Sequence, residues 1–417
     1  QNAGVDALDK EVSRWEIALP RLLALLGPAF VAAVAYVDPG NVAANITAGA
    51  RYGYSLVWVL VLANTMAVLI QYQSAKLGIV TGRSLPEVLG DRLGRRSRLA
   101  FWAQAELVAA ATDLAEVIGG AIALHLLLGL PLLTGGCLIG AVSMLLLALQ
   151  ERRSQRTFEG VVVGLLVVVT IGFVGGLVVA PPDWSATAAG LIPRLRDSGG
   201  LLVAASMLGA TVMPHAIYLH SSLVNDHEAD ELGPSTGDAR HSSGHLSRLL
   251  RATRIDIYWA LSIAGLVNIG LLLLAAAALA GQSGTDTIEG AHAAISSTLG
   301  PIVGTVFAVG LLASGLASTS VGAYAGSEIM NGLLHIRVPI MARRLFSLIP
   351  ALIILGAGAE PTWALVVSQV ALSFGIPFAI IPLVSLTRDR RVMGEYANSP
   401  VLATTGVLIA AAIVVLN

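Results

Sequence analysis

Eleven long apolar segments recur along this chain, and they constrain its fold more than any other feature. An α-helix needs roughly 20 apolar residues to cross the hydrocarbon core of a bilayer. The chain is 55% hydrophobic and only 12% charged, whereas soluble domains carry about 25% charged residues. The sequence therefore predicts an all-α polytopic membrane protein with 11 transmembrane helices. The predicted spans are 22–49, 55–80, 97–128, 130–149, 157–180, 199–224, 254–280, 299–331, 339–357, 362–385 and 400–416.

The positive charges between the spans predict an orientation. Cytoplasmic loops of membrane proteins carry an excess of Lys and Arg. Of the 25 such residues in the chain, only Arg51, Arg194 and Arg196 fall on the opposite side of the predicted spans from all the others. We therefore expect a protein of the cell inner (plasma) membrane, with a cytoplasmic N-terminal segment at 1–21 and an extracytoplasmic C terminus. The polar stretch 226–249 would then form a mobile cytoplasmic loop.

Two of the spans are interrupted by helix-breaking residues. The first span contains "VDPGNV" and the sixth contains "MLGATVMPHAIYLH". Pro39 and Pro214 each remove a backbone hydrogen bond and clash with the preceding helical turn. Freed carbonyls are tolerated at membrane depth only where they face protein, water or an ion. Either proline alone could simply kink a packed helix, but an aspartate at one break and Met-Pro-His at the other favour a binding site.

The positions of the two breaks predict an inverted repeat. They lie in the first and sixth spans, so two five-helix halves at 22–180 and 199–385 would cross the membrane in opposite directions. The segment 400–417 would follow them as an eleventh helix. Carriers built in this way bind their substrate near the membrane midplane, between discontinuous helices. We therefore expect the two breaks to meet at a binding site.

The residues at the breaks favour a bound cation of moderate softness. Asp38 costs roughly 2.5–3.5 kcal/mol near the centre of a bilayer, and no Lys or Arg lies deep in a predicted span to pair with it. Asn41 adds an amide oxygen, and the interrupted helices free the carbonyls of Ala35 and Ala210. Met213 would add a thioether, a ligand that suits transition metals better than Ca²⁺ or Mg²⁺. A buried methionine is, however, more often a packing residue.

The third span carries three acidic residues on one side. Glu106, Asp113 and Glu116 are spaced by seven and three positions, so they lie near one face of a helix. Acids inside a membrane span are candidates for a proton or cation relay, although the same face could line a wet vestibule. His215 follows Pro214 directly and could exchange a proton near neutral pH. Its alternative role is a structural hydrogen bond.

The two broken-helix motifs carry a resemblance to a known family. "DPGN" in the first span together with "MPH" in the sixth resembles the Nramp family of divalent transition-metal transporters, and the resemblance covers nearly the whole chain. "QYQSAKLGIVTG" (71–82) and "GLASTSVGAYAGSEIMNGLL" (315–334) are similar to the family's second helix and transport signature, although Ser327 and Glu328 depart from the usual signature. The resemblance implies a leucine-transporter-like fold with broken helices 1 and 6. The metal ligands that it implies are Asp38, Asn41, Met213 and the carbonyls of Ala35 and Ala210, with Gln369 joining them in one conformation.

The resemblance also implies a route for protons. It assigns proton transfer to His215, Asp113 and Glu116, and gives Asp38 a part in both metal binding and proton release. Glu106 on the same face extends this route. Two arginines open the ninth span, and in the family such arginines pair with the acids of the third helix. Charge counting alone makes them ordinary cytoplasmic anchors; they are Arg343 and Arg344.

The expected function is secondary active import of Mn²⁺, Fe²⁺ and similar ions, coupled to protons by alternating access. The alternative is a sodium-coupled amino-acid carrier of the same fold, in which Asp38 would repel the substrate carboxylate. No P-loop or H-E-x-x-H motif is present, so neither an enzyme nor a cofactor is expected. The net charge of −1 indicates no nucleic-acid partner. The expected partners are the metal ion, protons and the lipid bilayer, with a monomer compatible with the sequence.

Overall fold

Helices account for all regular secondary structure in the residues that the computed structural model describes, which are 27–152, 155–195, 197–232, 243–336 and 338–416. The predicted N-terminal segment 1–21 lies outside these ranges. Two short 3₁₀ helices, Gly53–Leu56 and Gly394–Tyr396, accompany the α-helices. The α-helices are α1 (Pro28–Ala35), α2 (Pro39–Tyr52), α3 (Val57–Thr81), α4 (Leu85–Arg92), α5 (Arg95–Leu128), α6 (Leu132–Arg152), α7 (Gln155–Val174), α8 (Gly176–Val179), α9 (Trp184–Ala189), α10 (Ser198–Thr211), α11 (Pro214–Leu232), α12 (Ser243–Ala278), α13 (Ile288–Leu299), α14 (Pro301–Leu334), α15 (Ile340–Gly356), α16 (Pro361–Arg388), α17 (Arg390–Met393) and α18 (Pro400–Leu416).

Many of these helices are long and apolar enough to cross a membrane. Within the described ranges, seven stretches meet both conditions, the longest being Pro39–Thr81, in which α2 and α3 follow each other. Leu132–Leu147 and Pro400–Val415 are shorter apolar helices. Each of the eleven predicted spans contains helix. The all-helical, multi-pass membrane architecture is therefore confirmed, whereas the number of 11 crossings stays a prediction.

Both predicted breaks are present in the structure. α1 ends at Ala35 and α2 begins at Pro39, with Asp38 as its N-cap. α10 ends at Thr211 and α11 begins at Pro214. Each proline occupies the first position of a helix, where its missing N–H costs no intrahelical bond and its fixed φ suits the start of a helix. The prolines therefore end one helix and begin another instead of kinking a continuous one.

The polar connection after α11 is shorter than the sequence predicts. α11 continues to Leu232 and α12 begins at Ser243, so both ends of the predicted loop 226–249 are helical. The residues between these two helices lie outside the described ranges. The first turns of α12 persist because their leucines pack into the largest apolar cluster, and packing of an apolar face stabilises helices in proteins more than propensity does. These leucines are Leu246, Leu249 and Leu250.

Four short α-helices, α4, α9, α13 and α17, lie between the predicted spans, apart from Leu299 at the end of α13. α4 begins with a capping box, in which the Ser84 hydroxyl accepts the Glu87 N–H and the Glu87 carboxylate accepts the Ser84 N–H at 2.7 Å. The S-x-x-E pattern is a recognised start signal for a helix, so the sequence contained a local signal for α4. The Leu85 N–H donates to the Ser221 hydroxyl at 2.8 Å, which ties α4 to α11.

The helix packing places both breaks inside the bundle. α5 packs against α14 and α16, α10 packs against α16, and α2 packs against α12. Around the breaks, Asp38, Asn41 and Gln369 each have 0% of their surface exposed. These three residues at the breaks are therefore inaccessible to solvent in this conformation.

Candidate ion-binding site at the two helix breaks

A single side chain connects the two broken helices. The Asn41 amide nitrogen donates a hydrogen bond of 2.8 Å to the Asp38 carboxylate and another of 2.9 Å to the Ala210 carbonyl. The Asn41 backbone N–H also donates to the same Asp38 oxygen at 2.7 Å, which caps the N terminus of α2. The breaks of the two halves therefore meet, as the inverted-repeat interpretation requires.

The prolines explain which carbonyls are available at this junction. A helical carbonyl bonds to the N–H four residues later, and for Ala35 and Ala210 that residue is Pro39 and Pro214. Proline has no N–H, so neither carbonyl has a helical donor. Both carbonyls belong to the C-terminal ends of α1 and α10, where the helix dipole favours a positive charge. The local sequence thus creates two oxygen acceptors suited to a cation.

Gln369 of α16 completes this group of polar side chains. Its amide nitrogen donates to the second Asp38 oxygen at 3.3 Å. Glycines permit α16 to come this close, because a Cβ at Gly209 would lie 2.1 Å from the Gln369 carbonyl oxygen and one at Gly40 would overlap the Gln369 side chain. The predicted residues Asp38, Asn41 and Gln369 are therefore in direct contact.

Two amide oxygens in this group have no hydrogen-bond partner among the described residues. They are Asn41 Oδ1 and Gln369 Oε1, and both are buried. Buried polar atoms are almost always paired, so two such oxygens beside a buried carboxylate point to a ligand that is an electron-pair acceptor. A cation would satisfy both amide oxygens and the Asp38 charge together.

Ala35 and Met213 lie in the same buried apolar cluster. Met213 has no exposed surface, and its carbonyl accepts the Ile217 N–H at 3.2 Å as α11 begins. Met213 lies at the second break because it immediately precedes Pro214, the first residue of α11. Its thioether is the soft donor that the sequence predicts for this site, and its role as a ligand stays a prediction.

Two residues that the sequence analysis missed hold the unwound part of the first break. The Asn268 amide donates to the Tyr36 carbonyl at 2.6 Å, and the Ser314 hydroxyl donates to the Val37 carbonyl at 2.5 Å. They come from α12 and α14, two helices that both pack against α1. Isolated polar residues inside otherwise apolar spans were the available signal for them.

The Tyr36 side chain belongs to a further buried polar chain. Gln71 of α3 donates from its amide to the Tyr36 hydroxyl at 2.5 Å, and its amide oxygen lies 2.7 Å from His220 Nδ1 on α11. This chain joins the first break to the second half of the molecule through α3. It connects the first break to α11, the helix that follows the second break, separately from Asn41.

The two arginines of α15 pair with the acids of α5. Arg344 is fully buried, with one guanidinium nitrogen 2.8 Å from Asp113 and 3.8 Å from Glu116. Its other nitrogens donate to the Ser143 hydroxyl at 3.1 Å and to the Thr319 hydroxyl at 3.4 Å. Of the two interpretations left open by the sequence, the structure therefore favours pairing over simple anchoring.

Arg343 forms the outer member of this set. It donates to Glu106 at 3.0 Å, and the Glu106 side chain is 29% exposed, whereas those of Asp113 and Glu116 are at most 1% exposed. The three predicted acids therefore lie on one helix in order from partly exposed to fully buried. This gradient is compatible with a route between the outside of the helix bundle and its interior.

The buried end of this acidic series approaches the first helix break. Gly119 of α5 packs so closely on Pro39 that a Cβ at that position would lie 2.0 Å from the proline ring. On the same helix, the Thr112 hydroxyl lies 3.3 Å from His215 Nδ1. His215 is therefore next to the acids of α5 and links them to α11. The predicted proton-route residues of α11 and α15 are thus carried by helices that both pack against α5, which carries the three acids.

Comparison with known proteins identifies the family of this chain. The family described as "Natural resistance-associated macrophage protein-like", or Nramp, matches residues 29–417. The chain belongs to the Nramp family. A family member from Mycobacterium tuberculosis strain H37Rv, named divalent metal cation transporter MntH, is 56% identical over 393 residues, which are 94% of this chain and 90% of that protein. The protein of the same name from Deinococcus radiodurans is 43% identical over 95% of this chain and 89% of its own length.

Solved structures agree with this assignment. The crystal structure of the Eremococcus coleocola manganese transporter has 32% identity to this Nramp chain and a TM-score of 0.83, and it covers 95% of this chain and 85% of that one. The nucleobase-cation-symport-1 family transporter Mhp1 has only 16% identity but a TM-score of 0.61, over 94% of this chain and 88% of that one. The latter likeness shows the fold alone. The predicted leucine-transporter-like fold, the Nramp resemblance and the assignment to a transporter and not an enzyme are therefore confirmed.

Proposed function

We propose that this protein imports divalent transition-metal ions, Mn²⁺ and Fe²⁺ among them, together with protons by alternating access. One observation carries the proposal: Asn41 joins Asp38 to the Ala210 carbonyl at the junction of both broken helices. The names of the relatives support the substrate class, since they are divalent metal cation transporters and a manganese transporter.

The metal ion would take the position now spanned by the Asn41 amide nitrogen. A half-turn of the amide exchanges its nitrogen for the unpaired oxygen, which then faces the ion between Asp38 and the Ala210 carbonyl. Gln369 can turn its own unpaired oxygen inward in the same way. The remaining proposed ligands are the Ala35 carbonyl and the Met213 sulfur. This mixture of oxygen and thioether donors suits Mn²⁺ and Fe²⁺ better than Ca²⁺, which takes six to eight oxygens.

The proton route would start at Asp38 and follow α5 outward from the break. Its proposed members are His215, Glu116, Asp113 and Glu106, in order of increasing exposure among the three acids. Arg343 and Arg344 would keep these carboxylates in place and limit the cost of burying them. A proton that leaves Asp38 when the metal binds then has a series of acceptors at hand.

The membrane orientation and driving force follow from the charge distribution. We place the arginine-rich ends of the helices in the cytoplasm and the protein in the inner membrane, with the N terminus inside and the C terminus outside. An inside-negative potential then contributes about 2.3 kcal/mol per imported charge per 100 mV. Cation import therefore runs downhill without a resident cofactor. Movement of the half-helices at the two breaks would open the site alternately to each side.

Transport into proteoliposomes tests the proposal directly. Vesicles containing the purified protein and an internal pH dye receive external Mn²⁺, and both uptake and acidification are followed. Asp38→Asn should abolish Mn²⁺ uptake and metal-dependent acidification. The matched control is Asp91→Asn, which neutralises an exposed acid outside the site and should leave both signals intact. Uptake by Asp38→Asn at the wild-type rate would overturn the proposed site.

A further inference from the structure

A groove on the outside of the bundle lies between α16 and α18. It encloses about 570 Å³, within the range of small-molecule sites in proteins, roughly 300–1,000 Å³. It is distinct from the ion site, whose residues are fully buried, because Ile381 and Val407 on its walls are 52% and 46% exposed. Its lining consists of Ile381, Val384, Ser385, Arg388, Asp389, Val407 and Ala410.

The lining changes from apolar to charged along α16. Ile381 and Val384 lie at one end with Val407 and Ala410 of α18, and Arg388 ends the helix at the other. Ile381 and Arg388 are seven positions apart, which is about 10 Å along the helix at the rise of 1.5 Å per residue. A ligand that fits this gradient has an extended hydrocarbon part and a charged head about 10 Å away.

The groove offers a positively charged side chain to such a head group. The Asp389 carboxylate is already engaged, since it accepts the Arg391 N–H at 2.8 Å and lies 3.9 Å from Arg92. The Arg388 guanidinium forms no ion pair with any residue in the described part of the chain. Arg390 and Arg391 follow it on the exposed turn α17. Basic pockets between transmembrane helices are typical sites for acidic lipid head groups.

The charged end of the groove is held in place by buried hydrogen bonds. Asn398, in the connection between α16 and α18, donates its N–H to the Thr387 carbonyl at 2.9 Å and its amide to Gln73 at 2.9 Å. Lys76 of α3 donates to the Asn398 side chain at 2.9 Å. The residue preceding Arg388 is therefore fixed to α3, so little conformational freedom is lost when a ligand binds.

We propose that the groove between α16 and α18 binds one anionic phospholipid, with an acyl chain along Ile381 and Val407 and its phosphate on Arg388. The proposal needs only that the arginine end of α16 lies at a membrane interface. It therefore holds for either orientation of the protein and does not depend on the identity of the transported ion.

Native mass spectrometry of the purified protein tests the proposal. Dioleoyl phosphatidylglycerol and dioleoyl phosphatidylcholine are titrated in the same detergent, and the dissociation constant of the first bound lipid is measured. Each arginine near a membrane surface contributes about 1 kcal/mol to the attraction of an acidic lipid. Arg388→Gln should therefore weaken the binding of phosphatidylglycerol about fivefold and leave that of phosphatidylcholine unchanged.

Two further variants distinguish binding in the groove from the general electrostatic attraction of acidic lipids to the protein. Arg96→Gln removes an exposed arginine outside the groove and should change phosphatidylglycerol binding less than twofold. Val407→Trp fills the apolar part of the groove and should weaken phosphatidylglycerol binding while Arg388 is intact. Equal losses for Arg388→Gln and Arg96→Gln would overturn the proposal, and so would unchanged binding in Arg388→Gln or Val407→Trp.

Discussion

Replacing Arg344 by Met should destabilise the protein severely, because its cation serves two buried carboxylates. Arg344, Asp113 and Glu116 have side chains that are at most 1% exposed. Removing one partner of a buried ion pair typically costs about 3–5 kcal/mol, since an uncompensated charge stays behind. At an unfolding entropy of about 2.1 cal/mol/K per residue, a loss of this size in 417 residues lowers the melting temperature by about 3–6 °C.

Thermal unfolding of purified variants in one detergent measures this effect. Arg83→Met is the matched control, because the side chains of Arg83 and its partner Asp91 are 45% and 51% exposed and exposed pairs contribute only about 0–1 kcal/mol. Adding Asp113→Asn to Arg344→Met removes the carboxylate that lies 2.8 Å from the lost guanidinium and should recover about 1–2 kcal/mol, within the usual range of coupling energies. A melting temperature of Arg344→Met within about 1 °C of wild type, or no recovery in the double variant, would refute the electrostatic account.

Three further substitutions probe the helix breaks. Met213→Ala should keep Mn²⁺ uptake but admit Ca²⁺ in competition assays, because the soft donor is lost; unchanged selectivity would assign the side chain to packing alone. Gly209→Ala places a Cβ 2.1 Å from the Gln369 carbonyl oxygen, which should cost about 1–3 kcal/mol of stability as α16 is displaced and lower the affinity for metal; normal values of both would contradict the close packing. Ser314→Ala strands the buried Val37 carbonyl and should lower the free energy of unfolding by about 1–3 kcal/mol, whereas a neutral effect would mean that another donor replaces the hydroxyl.

The sequence predicted the helix breaks because their signals are local. Pro39 and Pro214 remove specific backbone bonds, and the carbonyls that lose their donors can be read four residues earlier, at Ala35 and Ala210. The hydrophobic spans are equally local signals, so the all-helical membrane fold followed from them. The length of the polar linker could not be predicted in this way, because the leucines that keep α12 helical act through tertiary packing.

Long-range pairings were beyond a single sequence. Counting the charges between spans cannot distinguish an Arg344 that anchors a helix at the cytoplasmic surface from one that pairs with Asp113 in the core. Likewise, nothing beside Ser314 or Asn268 in the chain indicates that their side chains hold the unwound carbonyls of Val37 and Tyr36. Such partners are separated by more than 200 residues, and only the packing of the helices reveals them.

The hydrogen bonds around Asp38 have a consequence for the step of the proposed cycle in which the empty carrier returns to its starting conformation. A carrier that delivers its cargo must reorient without it, at the moment when a buried carboxylate has lost its counter-charge. Three N–H groups from Asn41 and Gln369 point at the Asp38 oxygens, and charge-assisted bonds of this kind are stronger than neutral ones. In the proposed transport cycle, the same amides that would offer oxygen to a metal would solvate the anion with their nitrogens, so the unloaded protein would reset without admitting water to the site.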